Sequence, residues 1–133
     1  MTVVVDASAV VAALVDAGPD GRWAATELSQ EGLAAPHLMP VEAANILRRA
    51  VIAGDLSAEV ASLAHEDLLQ LRVDLFPYEP HAHRVWQLHA NVTAYDAWYV
   101  ALAEALGAPL VTIDQRLAHA NGPRCPFRLP PAG

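Results

Sequence analysis

Thr2-Val-Val-Val5-Asp6 and Leu110-Val-Thr112-Ile113-Asp114 decide the fold: each is a short, β-branched apolar run that stops on an aspartate. A run with no polar alternation belongs to a strand covered on both faces. Strands of that kind sit in sheets whose connections are helices. Right-handed crossovers then bring the carboxyl ends of the strands to one edge of the sheet, where ligands usually bind. Asp6 and Asp114, each following a strand, are therefore expected on the same edge.

The rest of the chain, read outward from these runs, supplies the helices. Ser8 to Ala17 has helical character closed by Gly18, and Pro19 opens a second helix through Trp23 and Leu28, ended by Gly32. Leu33 to Ala35 is a short apolar strand. A longer helix runs from Pro40 to Ala53 and stops at Gly54, with Val41, Ala44, Leu47 and Val51 at helical spacing. Ser57 caps the next helix, which carries Val60, Leu63, Ala64, Leu68 and Leu71. Val73 to Phe76 reads as a strand, and Pro80 starts a helix through Val85, Trp86 and Leu88. Thr93 caps an apolar helix, Ala94 to Leu106, ended by Gly107, and Phe127 to Leu129 is a short edge strand. Strands alternating with helices in this way specify an α/β domain: three layers, α/β/α, around a central, mostly parallel sheet.

The chain has 133 residues, enough for one domain (1–133, with 126–133 a short edge strand and Pro-rich tail), and 54% of them are apolar, enough for one core. Asp6 and Asp16 interrupt the apolar start, no basic residue precedes it, and the uninterrupted stretch is too short to cross a bilayer. A cytoplasmic protein without a membrane anchor is expected. Cys125 is the single cysteine, which excludes an internal disulfide framework and a cysteine-rich zinc site. The net charge of −7 excludes a broad basic surface for nucleic acid. All eight basic residues are arginine, and there is no lysine.

Four acids stand out by position: Asp6 and Asp114 after strands, Glu42 and Asp96 at helix starts. Each has an ordinary explanation. Asp6 suits a turn after a strand, and Glu42 suits the positive end of its helix. Thr93-Ala-Tyr95-Asp96 has the form of a capping box, and Asp114 can cap a short helix from Gln115 to His119. As a set they have another reading. Acids gathered in a small volume repel one another unless a cation holds them, and an all-oxygen site suits Mg²⁺ or Mn²⁺. Such a metal turns bound water into hydroxide and stabilises charge on a phosphodiester.

Val-Val-Asp6-Ala-Ser8-Ala, Glu42-Ala-Ala-Asn45, Thr93-Ala-Tyr95-Asp96-Ala-Trp-Tyr-Val-Ala-Leu-Ala and Leu-Val-Thr112-Ile-Asp114-Gln-Arg116-Leu together resemble the PIN domain, and within it the VapC toxins of prokaryotic toxin–antitoxin pairs. The resemblance covers almost the whole chain in the right order. It implies a metal-dependent endoribonuclease acting on RNA with Mg²⁺ (or Mn²⁺) as cofactor, inhibited by a VapB-like antitoxin and usually a homodimer. It implies Asp6 and Asp96 as direct metal ligands. Glu42 and Asp114 would bind metal directly or through water and position the nucleophile. Ser8, Asn45 and Thr112 match polar neighbours of the site, with capping and turn bonding as their ordinary alternative. Arg48, Arg49 and Arg116, close in sequence to the acids, are candidates for RNA phosphate contact, with a solvated face as the alternative.

Other classes fit less well. A phosphoacceptor receiver domain needs adjacent acids after the first strand and a lysine after the last, but Ala7 follows Asp6 and lysine is absent. A haloacid-dehalogenase-type phosphatase fails for lack of its second aspartate and its lysine. A metal-free nuclease built on the six histidines, and a PIN-like module acting only by partner binding, remain as alternatives. His81 and His83, two apart, do not share a helix face and so do not make a zinc pair. Trp23, Trp86 and Trp98 are read as core or dimer packing, with stacking on bases as the alternative.

Overall fold

In the computed structural model, which describes residues 1–29 and 32–132, the strands are β1 (Thr2–Val5), β2 (Gly32–Pro36), β3 (Asp74–Phe76), β4 (Leu110–Val111) and β5 (Phe127–Arg128). They pair in the order β3-β2-β1-β4-β5, and every pairing is parallel. The sheet is thus parallel throughout, beyond the expected mostly parallel arrangement. The chain leaves β1 for β2 and β3 on one side, then crosses over to β4 and β5 on the other. That reversal puts a crevice between the carboxyl ends of β1 and β4, the usual ligand position in open α/β sheets.

Among the described residues, seven α-helices flank the sheet: α1 (Ala7–Val15), α2 (Pro19–Leu28), α3 (Met39–Ile52), α4 (Ala58–Gln70), α5 (Ala82–Gln87), α6 (Ala94–Leu106) and α7 (Gln115–Ala118). α1 packs against α2, α3 and α4, while α6 lies on β1 and β2 and carries α5. Val3, Val4, Val5, Leu110 and Val111 are fully buried between these layers, as strands apolar on both faces must be. No described helix is long and apolar enough to cross a membrane.

The boundaries move where a local hydrogen bond intervenes. The strand expected over Leu110–Ile113 ends at Val111, because the Ile113 amide turns to the Ser8 hydroxyl at 3.4 Å. The edge strand is Phe127–Arg128 rather than Phe127–Leu129. α1 stops at Val15, two residues early, with the Asp16 amide still bonded to Ala12 O. α2 ends at Leu28, and Gly32 opens β2 instead of closing a helix; Gln30 and Glu31 lie outside the described residues. The Pro80 segment begins as a 3-10 turn, Glu79–His81, before α5. Ser57 and Thr93 cap α4 and α6 as expected, and Gly107 ends α6 at φ +61°, a left-handed conformation that glycine adopts without penalty. Trp23 and Trp98 pack against the core, but Trp86 does not: it is 70% exposed and stacks on His89.

The α1–α2 turn depends on one side chain being absent. A Cβ on Gly21 would sit 1.7 Å from the Asp16 carbonyl oxygen and 2.8 Å from that of Ala12. Both are backbone atoms that cannot swing aside. Gly21→Ala is expected to destabilise the protein by about 1–3 kcal/mol, the usual penalty of overpacking. A melting temperature within a degree of the parent's would show that the α1–α2 contact is looser than this.

Candidate active site

Asp6 holds the centre of the crevice. As the N-cap of α1, its Oδ1 accepts hydrogen bonds from the Ala9 amide at 3.0 Å and the Ser8 hydroxyl at 2.6 Å. Its Oδ2 accepts from the Thr112 hydroxyl. Capping and site geometry are therefore one arrangement: the cap fixes Oδ1 and thereby aims Oδ2. Thr112, fully buried, also accepts the Asp114 amide at 3.0 Å through the same Oγ1. Register puts it there, since Val5 pairs with Val111 and the next residue on each strand meets its counterpart. Asp114 in turn caps α7, its Oδ1 accepting from the Arg116 and Leu117 amides.

Glu42 and Asp96 enter from the first turns of α3 and α6. The capping bond at the start of α6 runs from the Asp96 amide to Thr93 Oγ1 at 3.2 Å, so the backbone of Asp96 makes the cap. Glu42 Oε1 accepts a 2.6 Å hydrogen bond from the phenol of Tyr99, a residue not singled out in the sequence. Tyr99 lies inside an apolar run where a tyrosine reads as core; the available signal was its spacing of three from Asp96, which places both on one helix face.

All four acids line one cleft of about 270 Å³, together with Ser8, Asn45, Arg49 and Tyr99. Past Asp96 and Asp114 the surface continues into a second hollow with Asn91, Thr93 and Arg116 at its wall. Arg48 is not brought to the acids. It faces a separate groove between α3 and α4, beside Ala44, Val51 and Ile52. Among the described residues, no histidine lines the acidic cleft.

The acids feel one another. Burial above all holds Asp6 above the usual carboxylate range, with a further push from Asp114, against the pull of its three hydrogen bonds. Asp96 is raised by burial and then by the charges of Asp114 and Asp6. Glu42, half-buried, is raised by burial and by Asp96 and Asp6, opposed by the Tyr99 hydrogen bond. Negative charge gathered in a half-closed space is a state that a cation relieves. The donors are all oxygen, which fits Mg²⁺ or Mn²⁺ rather than zinc or a thiol-bound metal. Among the described residues, no three acidic, histidine or cysteine side chains stand close enough to form a ready-made cage. Mg²⁺ does not require one, because it keeps several waters and binds through one or two carboxylates.

The sign of the pH dependence follows. A carboxyl raised in the folded protein stabilises the fold at low pH, and that contribution is lost as pH rises through the folded-state value. Asp6, Glu42 and Asp96 therefore each cost stability in metal-free protein near neutrality. Mg²⁺ is expected to raise the melting temperature at pH 7.5, by an amount equivalent to about 2.7 kcal/mol at a hundred times its Kd, and to raise it less at pH 5, where protons compete. Melting curves at the two pH values, with and without Mg²⁺, check this. Equal shifts at both would place the cation elsewhere.

Residues 3–123 match the family described as PIN domain. The chain is 44% identical over 127 residues to Ribonuclease VapC1 of Mycobacterium tuberculosis, covering 95% of this chain and 96% of that one. It superposes on the crystal structure of PAE2754 from Pyrobaculum aerophilum with a TM-score of 0.65 at 30% identity, over 89% of this chain and 86% of the other. VapBC2 from Rickettsia felis, solved bound to a DNA fragment from its promoter, shares the fold at a TM-score of 0.68 and 12% identity, over 97% and 98% of the two chains.

Proposed function

This chain belongs to the PIN-domain family, alongside the VapC ribonucleases, and from that premise we propose that it is a Mg²⁺-dependent endoribonuclease acting as the toxin of a VapBC-type pair in the cytoplasm. The observation that carries the metal-dependent mechanism is the convergence of Asp6, Glu42, Asp96 and Asp114 on one cleft at the switch point of the sheet. Asp6 and Asp96 would hold the ion, as the resemblance implies, with Mn²⁺ able to substitute. When bound, such an ion supplies hydroxide from its own water and offsets charge on the phosphodiester.

The chain's own side chains do the rest. Ser8, Thr112 and the Ala9 amide fix Asp6, so no reorganisation is needed when substrate arrives. Glu42 and Asp114 orient the attacking water through their free lone pairs and take up its proton. The water oxygen attacks phosphorus in line as the bond to the leaving ribose oxygen breaks, and that oxygen keeps the electron pair and takes up a proton from solvent. Arg49 on one side of the acids and Arg116 on the other would meet phosphates flanking the cut. The purified chain is expected to cut single-stranded RNA internally in Mg²⁺. Intact RNA in both Mg²⁺ and Mn²⁺, across several RNA classes, would overturn the reading.

The partner implied is a VapB-like antitoxin, and the toxin itself is proposed to be a homodimer. The same carboxylates that attract a metal attract a guanidinium, which pairs bidentately with a carboxylate and replaces the ion's charge. An antitoxin arginine inserted between the acids would thus compete with Mg²⁺. Metal titration of the free chain and of the complex tests this: weaker metal binding in the complex is expected, and equal affinities would mean that the partner acts elsewhere.

A further inference from the structure

Tyr99 presents a contradiction that core packing does not resolve. It is among the largest fully buried side chains of the protein, 2% exposed, yet its hydroxyl points to the cleft and donates to Glu42 Oε1 at 2.6 Å. A phenylalanine would fill the same volume with no polar atom to satisfy. Glu42 sits on α3 and Tyr99 on α6, so this one bond joins the two helices that deliver Glu42 and Asp96 to the cleft. A glutamate has one more rotatable bond than an aspartate, and Glu42 is only half-buried. Its carboxylate needs a fixed point to hold one direction.

We propose that Tyr99 is the positioning residue of Glu42: its hydroxyl binds Oε1 and so leaves Oε2 facing the cleft for the ion or its water. The inference rests on the cation-dependent reading of the cleft. It assigns to Tyr99 a function that a core residue lacks, and it divides the site into two separately supported halves. Asp6 is held by Ser8 and Thr112, and Glu42 by Tyr99. Partners of this kind typically contribute about 10–100-fold to metal affinity or activity.

Tyr99→Phe removes the hydroxyl and keeps the ring. The variant is expected to fold normally by circular dichroism, to bind Mn²⁺ about 10–100-fold more weakly by titration calorimetry, and to need correspondingly more Mg²⁺ for half-maximal RNA cleavage. At saturating Mg²⁺ most of the rate should return. In a Glu42→Gln background, adding Tyr99→Phe should change Mn²⁺ affinity less than twofold, because the group it positions has gone. Unchanged Mn²⁺ affinity in Tyr99→Phe overturns the proposal, as does an equal loss with and without Glu42→Gln. If Tyr99→Phe does not fold, the parent labelled at tyrosine Cζ decides: the Tyr99 resonance must move on Mg²⁺ addition with the midpoint of cation binding, and a stationary signal refutes the coupling. A parent that neither binds Mn²⁺ nor cuts RNA defeats the functional reading itself, and the positioning role with it. That result is distinct from a parent that binds and a variant that matches it.

Discussion

Asp6→Asn and Asp96→Asn are each expected to leave a folded protein that no longer cleaves RNA. Asparagine keeps the shape of aspartate and removes the charge that a cation needs. At Asp6 the amide oxygen can still accept from Ser8 and the Ala9 amide, so the cap on α1 survives. The amide nitrogen would then face Thr112, whose hydroxyl can turn to accept. The buried charge that burial and Asp114 make costly is gone, so metal-free Asp6→Asn should melt no lower than the parent at neutral pH. At Asp96 the capping bond uses the backbone amide and is untouched by the change. Activity should fall by more than about 100-fold in either variant, beyond the typical effect of losing a supporting partner. Paired measurement of melting temperature and single-turnover rate separates the outcomes. An Asp96→Asn protein cutting at the parent rate would reduce Asp96 to a helix-start residue, and the site would have to be redrawn around the other three.

Removing the cation should be as severe. In excess EDTA the cleft retains clustered negative charge facing a substrate that is itself a polyanion, and water without a metal is far too weak an acid to give hydroxide near neutrality. Cleavage should stop and return on adding Mg²⁺ or Mn²⁺ beyond the chelator. Undiminished cleavage in EDTA would sink the carboxylate mechanism and point back to the six histidines of the chain, none of which lines the cleft.

Much of this was legible because strand and helix periods are simple. Thr112 stands two residues before Asp114, and the register of β1 on β4 carries it to Asp6. Along α3, Glu42, Asn45, Ile46 and Arg49 follow the spacing of one helix stripe, and all four line the cleft. Arg48 falls on the next stripe with Ala44, Val51 and Ile52, so closeness in sequence misled where helix phase would not have. Tyr99 was hidden for a different reason. A tyrosine amid Val, Ala and Leu reads as packing, and only its hydroxyl's partner 57 residues away reveals another use. The early end of β4 was hidden similarly, because the Ile113 amide is claimed by a serine side chain from the other end of the chain.

The hydrogen bond from Thr112 to Asp6 joins residues 106 positions apart. It has a consequence in the order of events. β1 meets β2 as soon as the first three dozen residues exist, but its other edge waits for β4, the fourth of the five described strands. Non-local parallel pairings of this kind form slowly, because the chain between them must be closed first. During synthesis at about 5–20 residues per second, Asp6 therefore spends several seconds as an ordinary helix cap with one oxygen unheld. A chain cut short before Leu110 has three of the four acids and no fixed site. On the proposed nuclease reading, cleavage of RNA must wait until Asp114 has been made and β4 has paired with β1.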